Sequence, residues 1–591
     1  MFFCFSSLLS AQISNNQKII PLDSEIYQAI KALYIAQGLA LPSTAGPWSQ
    51  DELLLMLKRL DDTKLSADHL ILYDFAAQRL TPSAQNVQFD GALTVQLFAH
   101  TNTEQFITQD LYVLHPNLAR PFASFNFDFF LTNHAYGYFE LPLMERVFND
   151  LVPVPQRDVT MVQSPNHGTH TFGINTLYSD GLDLTLAVPF RTFVSLGGEG
   201  WNVQFGRDRL SWGPGESGNF LIGSQVHYHT GFRAAFYAKN LKYQYNVSNF
   251  PYPGEYYLLG DDNIDAFVPA TIATRADGAE FTTMPNADVV RGINLFIAHR
   301  LEWRMFQDKI GFAFNEAVIY QSASGDISFD TFVPSMLLHN LYRNYNQNSL
   351  LTLEADFSPL PLLNFYAQIA IDEFSLPNES VPTKEKASLP DAYGFMVGTK
   401  TAFPLFKGVF AASLEYVQTD PYLYLHKYYP EAPLQYIVSN RYTDQTGHLL
   451  YAEEFLGYRW GSDAQVFNLQ AEYRRLGKWQ AGINLMVMIH GTHDKWTKFA
   501  SVYAADSAHD PKDLVITENH KGLENYADAT AKNTRNTLSY FTALSLKGSL
   551  CFLQWFTVFG QADFVFINNF GNVARQSAND IQCTVGLTYS F

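Results

Sequence analysis

The stretch from Trp201 to Ser224 (WNVQFGRDRLSWGPGESGNFLIGS) concentrates the side chains best suited to chemistry. Arg207 and Asp208 follow Gly206, and Trp212-Gly213-Pro214-Gly215 comes after them. That order gives a strand, a charged turn, an aromatic and then a kink that a regular strand could not contain. Sugars are held by aromatic faces with planar polar groups beside them. Tyr422, Tyr424, His426 and Trp460 supply more of these types on lumenal or loop segments. The set points to binding of carbohydrate. The bland alternative makes Trp and Tyr near strand ends girdle residues and Arg207 with Asp208 a structural salt bridge, and the residues alone leave both open.

Other constellations select no reaction. His227 and His229 share one strand face and could chelate a metal, but the sequence places no third ligand, so they read as polar lumenal residues. His167 and His170 form a similar loop pair. With 16 histidines many chance Ser-His-acid triads exist, and no motif singles one out. The Gly-Gly-Glu-Gly run at 197–200 precedes a strand and opens no helix, which argues against a phosphate cradle. No metal, cofactor or catalytic residue is expected.

The elements that must position these residues are strands. Ile581, Cys583, Val585, Leu587, Tyr589 and Phe591 alternate with polar or small residues, so the final strand has one wholly apolar face. In a soluble sandwich such a terminal edge would aggregate, whereas closure into a barrel in lipid removes it. With 591 residues the chain needs several cores or one large barrel. Mean hydropathy is only -0.10 although Phe (48) and Tyr (33) are abundant, as expected of a polar lumen, a lipid-facing wall and aromatic girdles. No stretch is long and apolar enough for a helical span. A net charge of -18 disfavours nucleic acid and suggests an acidic lumen or acidic loops.

Residues 1–11 (MFFCFSSLLSA) read as the apolar part of a secretory signal, cleaved near Ser10-Ala11. Lys18 is the first positive charge, so the basic segment is missing and the true start is expected upstream. Residues 19–83 are expected to form a periplasmic bundle of three short amphipathic helices. One spans Ser24 to Gln37 and is closed by Gly38; one follows a Ser49/Glu52 capping box; one opens at Ser66 and carries Leu70, Tyr73, Phe75 and Leu80. Cys4 would be cleaved away, and Cys551 and Cys583 are expected as free thiols, with Cys583 opposite about residue 565.

From Val87 to the end, period-two segments joined alternately by short and long connections predict an antiparallel outer-membrane barrel. Short connections are expected at Ser179-Asp180-Gly181, Lys239-Asn240, Gln307-Asp308, 359–361, 404–407, Leu476-Gly477 and 547–550. Every one from Lys239 onward would lie on the periplasmic side. The count is eighteen strands, or twenty if 201–205 and 220–224 both join the wall. In the hairpin around Gln307-Asp308, Ile297 should face Val318, Leu301 face Phe314 and Trp303 face Phe312, all apolar. His299 and Glu316 fall in that same lipid-facing set, where a polar residue is tolerated only if paired, so a direct hydrogen bond between them is expected. A bulge turning both inward beside Arg300, in a lumenal ligand site, is the competing arrangement.

The Gly-Arg followed by Trp-Gly-Pro-Gly at 206–215 resembles the capsule-assembly outer-membrane proteins of the Wzi type. Residues 297–320 (IAHRLEWRMFQDKIGFAFNEAVIY), 339–351, 366–372 (YAQIAID), 415–426 (EYVQTDPYLYLH) and 456–463 (LGYRWGSD) look like that family's successive blocks in order. The resemblance implies an eighteen-stranded barrel with a periplasmic helical bundle, no catalytic activity, and a lectin-like hold on surface polysaccharide. Larger outer loops depart from the pattern. The expected partners are outer-membrane lipid, surface polysaccharide and export or assembly proteins reached through the bundle. The alternatives are a porin-like or nutrient-uptake channel and, third, a barrel hydrolase.

Overall fold

The computed structural model describes residues 15–82, 85–101, 120–143, 191–253, 292–334, 347–373, 392–425, 432–443, 449–491, 493 and 537–591. Strand pieces at 173–174, 177–178, 181–182, 257–259, 267–269 and 428–429 are also described. Eighteen strands form the wall. They are β1 (Val87–His100), β2 (Ala123–Thr132), β3 (Ala135–Leu143), β4 (Thr192–Gly198), β5 (Trp201–Asp208), β6 (His229–Tyr237), β7 (Leu241–Phe250), β8 (Ile293–Met305) and β9 (Ile310–Ser322). The series continues with β10 (Gln347–Leu360), β11 (Leu363–Glu373), β12 (Ala392–Leu405), β13 (Gly408–Thr419), β14 (Ala464–Arg475), β15 (Trp479–His490), β16 (Ser539–Phe552), β17 (Phe556–Asn568) and β18 (Ser577–Ser590). Each pairs antiparallel with its sequence neighbours, and β18 pairs with β1, so the barrel is closed. Closure satisfies every backbone group that lipid would leave unpaired. Residues 201–205 belong to the wall as part of β5, but 220–224 do not, which settles eighteen over twenty.

Alternation along each strand sorts the side chains. On β18, Ile581, Val585, Leu587 and Tyr589, with Phe591 just after it, are exposed on the outside while Gln582, Thr584 and Thr588 are buried inside. Cys583 lies opposite Ala562, three residues from the expected place, and both Cys551 and Cys583 are free. The β8–β9 register is the expected one, with Ile297 opposite Val318 and Trp303 opposite Phe312.

One end of the barrel carries short connections at 238–240, 306–309, 361–362, 406–407, 476–478 and 553–555. Several use bulky residues in left-handed conformations, such as Phe406 (φ 47°) with Lys407 (φ 63°) and Leu553 (φ 54°) with Gln554 (φ 62°). That choice explains why 547–550 misled. Its Lys-Gly-Ser composition resembles a turn, yet it lies inside β16, where Lys547 reaches Glu472 at 3.3 Å. The expected turn at 179–181 lies largely outside the described residues.

Before the barrel come α1 (Glu25–Ala36), α2 (Gln50–Lys58) and α3 (Ala67–Arg79). Ser24 caps α1 by accepting from the Ile26 amide, and Gly38 (φ 64°) ends it. At α2, Ser49 accepts from the Glu52 amide, but the Glu52 side chain bonds Lys242 rather than closing a capping box; the reciprocal box is at Ser66 and His69. In α3 the fully buried residues are Leu72 and Ala76, joined by Leu80 after it, while Leu70 is exposed. The helical core includes Ala402 and Val409 of the wall. The Ala40 amide bonds Asp308 O at 2.7 Å, the Leu362 amide bonds Ile35 O at 2.8 Å, and Arg59 pairs with Asp308 at 2.6 Å. The helices are therefore seated on the short-turn end.

Candidate functional site

Inward positions of β7, β8 and β10 hold a ladder of buried charge. Arg300 forks onto Glu354 at 2.6 and 2.9 Å, donates to Glu302 at 2.8 Å and to Asn315 at 2.9 Å, and touches Thr44 at 3.1 Å. Lys242 pairs with Glu52 at 2.6 Å and donates to Ser43 at 2.9 Å. Every buried charge here faces an opposite one, as it must in a dry interior. Arg300 is thus tied up within the protein. A cavity of ≈ 20 Å³ beside it, between Pro42, Thr44 and Pro214, has room for about one water.

Residues 209–228, between β5 and β6, do not leave the barrel but cross its interior. Ser211 and Trp212 pair with Gly46 and Ala45 of the N-terminal segment. Farther on, the amides of Glu216 and Ser217 each donate to Glu415 of β13 at 2.9 Å, and Asn219 accepts from Gln368 of β11 at 3.0 Å. β5 and β13 are eight strands apart in a ring of eighteen, so the insert spans nearly the full diameter. Gly213 (φ 133°) permits the kink, and a Cβ there would stand 1.9 Å from Gln368. Glu216 bridges Lys31 at 3.3 Å and Lys400 at 2.5 Å. Burial alone would raise its carboxyl, but the two ammonium groups hold it well below the usual carboxylate range. Phe220 and Ile222 of the insert pack with Leu423, Tyr424, Tyr436 and Tyr458 as a core.

The expected sugar-binding residues do not converge on one surface. Trp212 has no exposed surface and anchors the lumenal core. Asp208 is buried against Arg191 at 2.8 Å and Gln204 at 2.7 Å. Arg207 does not pair with Asp208; it shares the outward face of β5 with Phe205, stacks 4.1 Å over the Tyr228 ring and donates to Thr230. Tyr424 is buried, its hydroxyl donating to Phe220 O at 2.8 Å. His426, His167 and His170 lie outside the described residues. His229 packs its ring on Phe250 at 5.4 Å and faces Ser248.

Tyr422 and Trp460 do share a place, at the end of the long connections above β13 to β15. Tyr422 meets His493 edge to face at 5.3 Å, and His493 bonds Asp463 at 3.1 Å. His490 reaches Trp460 O at 3.2 Å, and exposed Arg459 lies 4.6 Å over the Trp460 ring. An aromatic face, a guanidinium and a carboxylate side by side are the chemistry of sugar contact; Arg459 is exposed and Tyr422 and Asp463 are half-buried, while Trp460 and His493 are buried behind them. Sequence reading missed Arg459, Asp463 and His493. The first two stand in 456–463 (LGYRWGSD), beside the Trp460 it did select.

His299 corrects another expectation. It lies opposite Glu316 in register and on the outward face, but makes no direct hydrogen bond to it. Its Nδ1 pairs with the Tyr243 hydroxyl at 2.8 Å, and its Nε2 has no partner among the described residues. The neighbouring strand supplied a nearer phenol, so the imidazole turned sideways to β7.

Across solved structures the architecture recurs. The carbohydrate-binding β-barrel Wzi, an outer-membrane protein involved in group 1 capsule assembly in Escherichia coli, is 14% identical, covers 97% of this chain and 99% of its own, and has a TM-score of 0.55. The likeness is one of fold. OprD of Pseudomonas aeruginosa (9% identity, 86% and 95% covered, TM-score 0.37) and OccAB4 of Acinetobacter baumannii (8%, 86% and 98%, 0.37) also match. No protein-family profile and no curated protein matches the chain.

Proposed function

We propose that this chain is a non-enzymatic outer-membrane barrel that holds or organises surface polysaccharide, as in capsule assembly or attachment. Tyr422, Arg459, Trp460, Asp463 and His493 form the contact shelf. The observation that carries this reading is the insert 209–228, packed from one wall to the other beneath that shelf. A diffusion channel needs an open path, whereas an interior crossed by packed residues makes a floor on which exposed Arg459 and half-buried Tyr422 and Asp463 can hold a chain too large to pass. The carbohydrate-binding character of the Wzi neighbour supports the same choice. The short-turn end and its helices face the periplasm in this reading, because the chain enters the membrane from there, and the helices are where export or assembly proteins would dock.

A glycan array on the purified protein, repeated with Tyr422→Ala and Arg459→Ala, tests the reading. Binding to at least one polysaccharide, weakened in both variants while heat-modifiable mobility is kept, is expected. Binding to none, or binding indifferent to both substitutions, would remove the shelf from the account.

A further inference from the structure

The outward face of β7 to β9 carries polar side chains where a lipid-facing wall requires apolar ones: Tyr243, Tyr245, His299 and Glu316. His299 and Glu316 are nonetheless buried, at 0% and 2% exposure. Over the β7 and β8 part of this face lies the segment 323–334, which follows β9 and folds back over the outside of the barrel. The Tyr243 hydroxyl, besides its contact with His299, donates to Pro334 O at 3.0 Å, and the Tyr245 hydroxyl donates to Phe332 O at 3.1 Å. The Tyr320 hydroxyl donates to Asp326 O at 2.7 Å. Phe332 packs against Leu295, Ile297 and Tyr320 of the wall. Both ends of the segment are thus fastened to outward side chains.

The side of this segment turned away from the barrel is apolar at three places. Phe329 is 83% exposed, and Ile327 and Val333 are exposed beside it. Nearer the short-turn end the same wall face presents Trp303, Phe312 and Phe357, all exposed. Exposed apolar side chains therefore continue from the strands onto the segment, where Asp326 and Asp330 are exposed between them.

We propose that segment 323–334 is a strap embedded in the bilayer, with Phe329, Ile327 and Val333 contacting lipid acyl chains while its inner side seals His299 and Glu316 from them. The strap replaces the missing apolar positions of β7 to β9 and places part of a connecting loop in the lipid-facing surface. This inference rests on the outer wall alone and stands or falls independently of the polysaccharide reading.

The full chain with Cys4→Ser, Cys551→Ser and Cys583→Ser supplies a cysteine-free background for labelling. Phe329→Cys, Ile327→Cys, Val585→Cys on the strand belt and Arg575→Cys in the 569–576 connection each receive an environment-sensitive fluorophore. The proteins are placed in phosphatidylcholine vesicles containing nitroxide-labelled acyl chains. The strap positions are expected to match Val585, with blue-shifted emission and most of the fluorescence lost to the nitroxides, while Arg575 keeps its signal. Strap labels that behave like Arg575 would overturn the proposal. Protection that appears only as protein is concentrated in the membrane, with cross-linking of Phe329→Cys between copies, would replace lipid by a second copy and overturn it too. Ile327→Cys provides the same readout should Phe329→Cys fail to assemble.

Discussion

At the scale of single residues, the same side chain types serve opposite purposes depending on what surrounds them. Trp212 lies in a kinked motif that looks designed for a ligand, yet it is wholly enclosed by Leu210, Phe220 and Ile222. Trp212→Ala should cost about 3–5 kcal/mol, as truncation of a buried large aromatic does, and lower the temperature of heat modification. Arg207→Ala removes a guanidinium from an outward face and should leave both that temperature and the lumenal core unchanged. Arg300→Ala would strand Glu354 in the interior and leave Glu302 only Arg304, at 3.6 Å, as its cation; a cost of about 3–5 kcal/mol is expected, also read as a lower heat-modification temperature. Period-two alternation was enough to place Arg300, Glu302 and Arg304 in the lumen. It could not tell that Arg300 was already saturated, because Glu354 arrives from β10, more than fifty residues further on. His299 makes the same point on the outer face: its register with Glu316 followed from one turn, but its hydrogen bond went to Tyr243, which belongs to a third strand.

At the scale of elements, the legible features are those written locally. Ser24, Ser49 and Ser66 each marked a helix start, since a side-chain oxygen before an apolar repeat must satisfy orphan amides. What the helices pack on was not legible, because Glu52 finds Lys242 only when the barrel is closed around them. Lys242→Ala should leave Glu52 buried without its cation and loosen the helical unit from the wall. Limited proteolysis is expected to cut within residues 15–82 of this variant while the barrel stays resistant; equal resistance of that unit in the variant and the parent would show that apolar packing alone holds it. The insert offers a pH prediction of definite sign. The folded-state value of Glu216 is depressed, so its contribution is fully present above the ordinary carboxylate value of about 4.5 and is lost only as pH falls below it. Docking of the insert, followed by hydrogen exchange of 209–228, should persist from neutral pH down to that value and weaken beneath it. Glu216→Gln should weaken docking at neutral pH and flatten the acid dependence.

At the scale of the whole molecule, closure was written in the alternation of the last strand and in the rhythm of short and long connections, because only a ring removes the edge that lipid cannot satisfy. The filling of that ring was not written there. A segment rich in Gly and Pro reads as loop whether it projects outward or folds inward, and only the positions it meets, Gln368, Lys400 and Glu415 on the far wall, decide the matter. The consequence is electrical. With the helices across one mouth and the insert spanning the diameter, the intact protein in a planar bilayer should give no stable, large conductance. Replacing 212–222 by a short Gly-Ser linker removes Trp212, Glu216 and Phe220 together and should produce discrete current steps from a barrel that is still heat-modifiable. Steady large currents from the unaltered chain would mean that the interior opens in the membrane, and the protein would then be a channel. Silence from both would mean that the helices and the upper core close the lumen without the insert, which would move the barrier from 209–228 to those elements.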